Sequence, residues 1–186
     1  MSSIPATAPP DWLVHAIGVE PIDVRQMLSM GQDPLFSILQ PAQAVEPGGF
    51  LVVDAPFNPT PLRRLLAGNG FSSFGRKLAG GHWRVFFRKD GGAQWQQDGD
   101  VDVSSDGAVI WSQDGTVHID VRPLPPPVPM VAILRLIESS PQLGCLVVHH
   151  QREPVHLLPE LAERGWRVES MQQHPDLVVL RLEKNP

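Results

Sequence analysis

The 186-residue sequence is short of the residues that mark several common protein classes. It has a single cysteine, which rules out an internal disulfide framework and any zinc cage built from cysteines. No run approaches the ~20 apolar residues of a membrane span, and the N-terminus lacks the basic start and apolar stretch of a signal peptide. These absences predict a soluble, cytoplasmic protein that makes no use of a membrane.

Basic residues are missing from one stretch in the middle of the chain. Residues 90–114 hold six aspartates and no lysine or arginine. The negative charge of this stretch is therefore larger than the net charge of -5 of the whole chain. The stretch is rich in glycine and poor in apolar side chains, a composition that cannot offset the entropy of ordering and that is typical of a linker. Residues 108–111 precede the turn dipeptide Asp114-Gly115 and can form one extra strand paired with the next.

The rest of the chain contains the same pattern twice. Residues 22–25 recur as 119–122, both Ile-Asp-Val-Arg, at an offset of 97, and residues 51–53 recur as 146–148, both Leu-Val-Val, at an offset of 95. The second offset then continues without a gap through Pro59 and Pro154, Leu62 and Leu157, Leu66 and Leu161, and Gly70 and Gly165. So many matches in one order predict two homologous domains. The predicted parts are a flexible segment at 1–15, a first domain at 16–89, an acidic linker at 90–114 and a second domain at 115–186.

Each copy shows the order strand, helix, strand, helix, strand, strand. Its helices carry one apolar stripe, formed in the second copy by Met130, Ile133, Leu134 and Ile137. Gly70 and Gly165 are typical of the left-handed residue that ends a helix, whereas Pro41 predicts a kink or an early end of the first helix. Two amphipathic helices with four half-apolar strands predict an α/β protein of the α+β two-layer sandwich class, with both helices on one face of the sheet.

The proline-rich segment before the first helix of the second copy carries a family resemblance. Residues 124–130, Leu-Pro-Pro-Pro-Val-Pro-Met, resemble the Leu-x-Cys-Pro-x-Pro-x-Met signature of the TusA/SirA-like sulfur carriers. Together with Arg-Glu-Pro-x-x-Leu-x-Pro-x-Leu-x-x-Arg-Gly-Trp at 152–166, the second copy resembles more closely a bacterial domain-of-unknown-function branch of that fold, whose members occur singly or in tandem. The resemblance implies two TusA-like β-α-β-α-β-β domains and a setting in redox or nitrogen-oxide metabolism.

The cysteine of the sulfur carriers is absent from both copies. In that family it stands at the start of the first helix, where free N–H groups and the helix dipole stabilise a thiolate. Pro126 occupies the position here, and residues 26–31 of the first copy contain no cysteine. The resemblance therefore implies the fold without sulfur relay by the family's mechanism. Cys145, opposite Phe50 of the first copy, is predicted to pack in the core, and sulfur handling through Cys145 is the alternative.

Histidines gather in the second copy at positions where the first copy has Asp54, Ala55 and Pro61. His149 and His150 end the second strand, Glu153 lies in the following loop and His156 leads into the second helix. Because strand side chains alternate, the two adjacent histidines point to opposite faces. One of them, with Glu153 and His156, could supply three ligands to zinc or iron. The spacing fits no defined metal motif, so solvated or locally hydrogen-bonded histidines are the competing interpretation.

Charged residues raise two further binding hypotheses. The Asp23–Arg25 and Asp120–Arg122 pairs each lie on one face of a strand, which favours local ion pairs over ligand-facing arginines. Seven basic residues between positions 63 and 89 give the first domain a basic side, but its small net charge disfavours nucleic acid as a partner.

These patterns favour a binding module over an enzyme. No nucleotide-binding loop, Ser-His-Asp order or paired-carboxylate pattern is recognisable, so we assign no catalytic residue and no cofactor. We predict a regulatory module that binds an unknown small molecule or protein partner in the loops after the second strand, or in a crevice if the two domains pack on each other. The candidate ligand-binding residues are Arg25, Arg122, His149, His150, Glu153 and His156, of which the last four are also the metal candidates.

Overall fold

The structure, a computed structural model, describes residues 8–78, 80–99 and 101–186. They form two compact units that divide just before Val101. The first unit contains α1 (Leu13–Ala16), β1 (Ile22–Asp23), α2 (Arg25–Ser29), α3 (Leu35–Ala44), β2 (Phe50–Ala55), α4 (Thr60–Gly68), β3 (Phe71–Lys77), β4 (Trp83–Lys89) and β5 (Gln97–Asp98). The second contains β6 (Val101–Val103), β7 (Val109–Gln113), β8 (Thr116–Asp120), α5 (Val128–Ser139), β9 (Cys145–His150), α6 (Leu157–Glu163), β10 (Trp166–His174) and β11 (Leu177–Lys184). Within these ranges, every helix is too short or too polar to cross a membrane.

Four strands follow the same path in each unit. In the first unit β1 runs parallel to β2, and β4 lies antiparallel between β2 and β3. In the second unit β8 runs parallel to β9, and β11 lies antiparallel between β9 and β10. Parallel neighbours need a crossover connection, which α3 and α5 provide. The predicted mixed α/β class is confirmed, with four strands and two long helices shared by both copies.

The long helices cover one face of each sheet, as their apolar stripes predict. Ile38 of α3 and Leu66 of α4 share one core with Val53 of β2. In the second unit, Ile133 of α5 and Leu161 of α6 lie together in the corresponding core. Full burial of such a side chain contributes about 1.5–3 kcal/mol, so these cores hold the helices to the sheets.

The helix ends follow the sequence signals except at Pro41. Gly70 and Gly165, which follow α4 and α6, have φ angles of 85° and 72°, the left-handed conformation that glycine adopts after a helix. In contrast, α3 continues through Pro41 to Ala44, so the early end is wrong. Ala42 is buried in the core of the first unit, and its packing holds this last turn although the proline removes one hydrogen bond.

The N-terminal segment predicted to be flexible contains a short buried helix. Residues 1–7 of the predicted segment 1–15 lie outside the described residues. Leu13 and Val14 of α1 are buried, and Trp12 stacks on Phe50 with 6.2 Å between ring centroids. Phe50 lies on the face of β2 opposite α3 and α4, because strand side chains alternate. Apolar residues at 12–14 therefore cover the second face of this sheet.

The stretch predicted as an acidic linker also contains strands. β5 pairs with β3 in the first unit, while β6 pairs with β7 and β7 with β8 in the second. Asp114 and Gly115 form the β7–β8 turn, both at positive φ, as the hairpin dipeptide indicates. The domain limits 16–89 and 115–186 stay a prediction from the repeat, and strands outside those limits extend both sheets.

Candidate functional site

Each unit contains a hollow at the same point of the repeat. It lies where the residues after the first shared strand meet the start of the first long helix and the loop that leads to the second helix. The hollow has a volume of about 250 Å³ in the first unit and about 750 Å³ in the second. Small-molecule sites are concave and mostly apolar with a few polar groups, a description that the larger cavity meets.

The floor of the larger cavity is apolar. Its apolar lining consists of Val121, Leu124, Pro126, Pro127, Pro129, Met130, Ile133, Pro154, Val155 and Leu157. Several of these side chains belong to the core of the second unit or pack against it. Three of the prolines stand at the start of α5 and have no N–H, so this helix end presents few backbone donors. Recognition of a polar ligand group therefore depends on side chains.

Arg122 lies in the cavity wall, and a buried carboxylate holds its side chain in place. Its Nη2 donates to Asp120 Oδ2 at 2.7 Å, and its Nε and backbone N–H also donate to this carboxylate. The Asp120 side chain is only 4% exposed. A two-point pairing of this kind fixes the plane of a guanidinium, so Arg122 has a defined position in the lining.

His150 faces the cavity from the end of β9. Its Nδ1 accepts a hydrogen bond from the backbone N–H of Arg152 at 3.2 Å, which places the proton of the neutral ring on Nε2. Burial, followed by the positive charge of Arg152, lowers the pKa of His150. The ring is therefore neutral at pH 7 and has an N–H to donate.

The remaining charged residues of the lining lie on the loop between β9 and α6. Arg152, Glu153 and His156 are all exposed, and His156 occupies the N-cap position of α6. Glu153 Oε2 lies 3.5 Å from Gln173 Nε2. Within the described part of the chain, no carboxylate forms a salt bridge with Arg152. This guanidinium is thus able to bind an anion that enters the cavity.

The three-ligand metal arrangement considered from the sequence is not formed. His149 lies on the opposite face of the sheet, in contact with the rings of Trp111 and His118, while His150, Glu153 and His156 line the cavity. Over residues 8–78, 80–99 and 101–186, no three histidine, cysteine, aspartate or glutamate side chains come close enough to hold a metal ion. Strand alternation separates the two histidines, as the sequence indicates.

Arg25 and Cys145 lie away from the cavity. Arg25 does not line the hollow of the first unit and pairs instead with Asp23, Nη2 to Oδ2 at 2.6 Å, which is the local ion pair favoured from the sequence. Cys145 is partly exposed, so its predicted packing in the core is wrong. It is the first residue of β9 and lies on the face turned away from α5 and α6, where fewer side chains cover it.

The basic side predicted for the first domain is partly internal. Arg63 is fully buried, and its guanidinium donates to Asp98 Oδ1 at 2.5 Å and to Ser73 Oγ at 2.8 Å. Arg84 donates through Nε and Nη2 to the buried carboxylate of Asp54. Two of the seven cations are therefore paired inside the unit, which reduces the exposed positive charge that nucleic-acid binding requires.

Sequence reasoning missed two polar residues of the lining, Gln151 and Arg152. At the repeat offset of 95, Arg152 stands where the first copy has Phe57, and His150 stands where it has Ala55. Both aligned residues of the first copy line the smaller hollow. An exchange of apolar for polar residues in the loop after the second strand is the signal that could have found Arg152.

Comparison with known families matches the repeat. The family model described as Uncharacterized conserved protein (DUF2249) matches residues 21–89 and, separately, residues 118–184. Each matched segment contains the strands and helices that surround one hollow. Searches of curated proteins and of solved structures gave no match.

Proposed function

The chain belongs to the DUF2249 family of uncharacterised conserved proteins and contains the family's domain twice, and from this premise we propose that the second copy is a non-catalytic binding domain for a small organic anion. One observation carries the proposal: the cavity of about 750 Å³ has a polar lining that the equivalent hollow of the first copy lacks. The first copy then acts as a scaffold or contacts a protein partner.

The volume and floor of the cavity favour a small organic ligand. About 750 Å³ falls within the range of roughly 300–1,000 Å³ that is typical of small-molecule sites. The apolar floor accommodates a hydrocarbon portion, whose burial contributes about 25 cal/mol per Å² of apolar surface.

The charges of the lining favour an anionic group on that ligand. The lining contains two arginines and one glutamate, and burial keeps His150 neutral at pH 7. Arg122 is paired with Asp120, whereas Arg152 forms no salt bridge within the described part of the chain, so the Arg152 guanidinium is the positive group that an anion can meet. Guanidinium groups bind carboxylates and phosphates through paired hydrogen bonds. Arg122 is held in place by Asp120, which lowers the entropy lost on binding, and His150 adds an N–H donor.

The choice of binding over catalysis is supported by the side chains at the cavity. Among the residues that the structure describes, the lining includes no serine, threonine, cysteine or lysine that His150 or His156 could activate as a nucleophile. The TusA-like relationship and the setting in redox or nitrogen-oxide metabolism belong to this proposal on the strength of the sequence resemblance alone.

Titration of the full chain with straight-chain carboxylates from butyrate to decanoate, each beside its uncharged primary amide, tests the proposal. Calorimetry is expected to show tighter binding of the acid than of its amide. Arg152→Phe, which introduces the residue of the first copy, is expected to weaken acid binding about tenfold, because a hydrogen bond to a charged group contributes about 1.5–3 kcal/mol.

Arg167→Phe is the matched control, since Arg167 is an exposed arginine of the same unit that pairs with Glu183 on β11. The proposal fails if acids and amides bind equally, if no acid binds, or if both arginine variants lose the same affinity. Conversion of a bound acid during NMR observation would contradict the non-catalytic part.

A further inference from the structure

Three aromatic rings contact one another on the face of the second sheet opposite the cavity. Trp111, His118 and His149 form this ring cluster, with centroid separations of 5.0, 5.1 and 5.5 Å. Trp111 lies directly opposite His118 in the β7–β8 register, and His149 comes from the neighbouring strand β9. The backbone hydrogen bonds of three adjacent strands therefore hold the cluster together.

The two imidazoles face each other through one nitrogen each. His118 Nδ1 and His149 Nε2 are 3.2 Å apart, more than 2 Å closer than the ring centroids. At this distance one neutral ring donates a hydrogen bond and the other accepts it. Only a single proton fits between the two nitrogens.

The surroundings keep His118 in the form that can bind a metal. Burial, His149 and Arg181 lower the pKa of His118 to about 4, while Asp114 opposes this shift. The ring is uncharged at neutral pH, and a neutral imidazole is the metal-binding form. The charge of Arg181 is itself offset, because its Nε lies 2.6 Å from Glu169 Oε2.

We propose that the His118–His149 pair is a copper site, in which a copper ion takes the place of the shared proton between His118 Nδ1 and His149 Nε2. Imidazole nitrogens are suitable ligands for copper, and Cu(II) binds such sites more strongly than the other divalent first-row metals do. The neutral ring that holds the shared proton moves it to its other nitrogen on binding. Both facing nitrogens then present a lone pair, and no net proton is released.

The observed separation suits two ligands of one metal ion. Metal–nitrogen bonds of about 2.0–2.1 Å at square-planar or tetrahedral angles place two nitrogens about 2.9–3.4 Å apart. The 3.2 Å between His118 Nδ1 and His149 Nε2 falls within this range. The rings point at each other along the hydrogen bond, so binding requires each ring to turn until both lone pairs meet at one point.

A buried donor next to the pair also lacks a partner. The indole Nε1 of Trp111 is buried with no hydrogen-bond acceptor among the described residues, and such groups are uncommon in folded proteins. Two histidine ligands leave coordination positions open for water or an external anion. An oxygen ligand on the copper would supply an acceptor in the vicinity of this indole.

Titration of the full chain with Cu(II) in a weakly coordinating buffer, followed by tryptophan fluorescence and electron paramagnetic resonance, tests the site. One equivalent is expected to bind with a nitrogen hyperfine signature. His118→Phe, which keeps a ring stacked on Trp111, is expected to lower the affinity at least tenfold, as is His149→Ala.

His156→Ala is the matched control, because His156 lies at the cavity on the other side of the sheet, and it is expected to leave the affinity unchanged. Circular dichroism of each variant establishes that it is folded. The proposal is overturned if Cu(II) binds no better than to free imidazole, if His118→Phe binds like the wild type, or if only His156→Ala loses the ion. The anion site is tested by Arg152→Phe and does not depend on this result.

Discussion

The two copies place a hollow at the same point of the fold and line it with different side chains. Ala55 and Phe57 of the first copy stand where the second copy has His150 and Arg152. Four strands, the two long helices and the glycines that follow the second of these helices are the same in both. The difference teaches that the scaffold tolerates a change of lining from apolar to charged at the rim of the hollow, where Phe57 and Arg152 are exposed, although Ala55 itself belongs to the core of the first unit.

The interiors of the two copies also differ, but here the charged side chain belongs to the first copy and the apolar one to the second. In the first copy Arg63 is fully buried and bonded to Asp98, whereas the aligned residue of the second copy is Leu158. The Arg63–Asp98 pair leaves no space for a side chain at Gly75, because a Cβ atom there would lie 2.8 Å from Arg63 Nη1 and from Asp98 Oδ1. At these aligned positions the first copy therefore has a charged side chain in its interior and apolar side chains at its hollow, and the second copy has the reverse.

Introducing the residue of the second copy at the buried arginine is expected to have the largest effect. Arg63→Leu should lower the free energy of unfolding of the first unit by about 3 kcal/mol, because Ser73 and Asn58 lose their donor and Asp98 loses its counterion. Urea denaturation combined with hydrogen exchange and mass spectrometry of the full chain assigns the loss to one unit.

The neighbouring Arg64→Leu is the matched control for that variant. Arg64 is exposed and contacts the ring of Trp95 at 5.6 Å, an interaction that contributes about 0.5–1 kcal/mol at an exposed site. Equal losses for the two variants would mean that the buried network does not stabilise the first unit.

The aspartate–arginine pair of each copy offers a second comparison, with a smaller expected effect. Asp23 and Asp120 accept the same hydrogen bonds from the arginine two residues later, but their side chains are 46% and 4% exposed. Asp120→Asn should lower the free energy of unfolding by about 2 kcal/mol, because it removes the charge of a buried carboxylate that accepts several hydrogen bonds from Arg122. Asp23→Asn should cost well under 1 kcal/mol, as solvent screens an exposed pair.

Acid titration separates the two aspartate variants further. The Arg25 side chain, and then its backbone N–H, lower the pKa of Asp23 from 3.8 to about 2. The contribution of this pair is thus complete above pH 3.8 and disappears as the pH falls through about 2. In thermal unfolding, the difference in stability between the wild type and Asp23→Asn should become smaller over this pH range. An equal loss of unfolding free energy in Asp23→Asn and Asp120→Asn at pH 7 would contradict the comparison.

The third comparison concerns an acid sensitivity that belongs to the second unit. The pKa of His118 is about 4 in the folded chain, against 6.5 for an imidazole exposed to water, so the unfolded chain binds a proton more readily between these values. Stability should therefore be constant above pH 6.5 and fall by about 1 kcal/mol on the way to pH 4, allowing for partial exposure of the ring.

His118→Phe is expected to reduce this slope in the second unit, as followed by hydrogen exchange between pH 4 and 7. The first copy has Pro21 at the aligned position and serves as the internal reference. An unchanged slope in His118→Phe would show that the imidazole pair is not the source of the acid sensitivity.

Local patterns predicted most of the elements but only part of the candidate site. Alternation along β9 was sufficient to place His149 and His150 on opposite faces, and the repeat located the loop that contains Glu153 and His156. Arg152 was missed because arginine is not a metal ligand, whereas the candidates predicted in this loop were residue types that bind metals. The burial of Arg63 was missed because its partner Asp98 lies 35 residues away, in a stretch whose composition is typical of a linker.

The sequence by itself determined that the chain is a duplication, which elements each copy contains and which side chains share a face of a strand or helix. These properties depend on periodicity, on turn residues and on the offset between copies, all of which are local or internal to the sequence. Only the tertiary structure decided that β4 pairs between β2 and β3 and β11 between β9 and β10, that Arg63 meets Asp98 and that His118 meets His149. Such contacts join residues distant in sequence, and their geometry depends on how whole strands pair and helices pack.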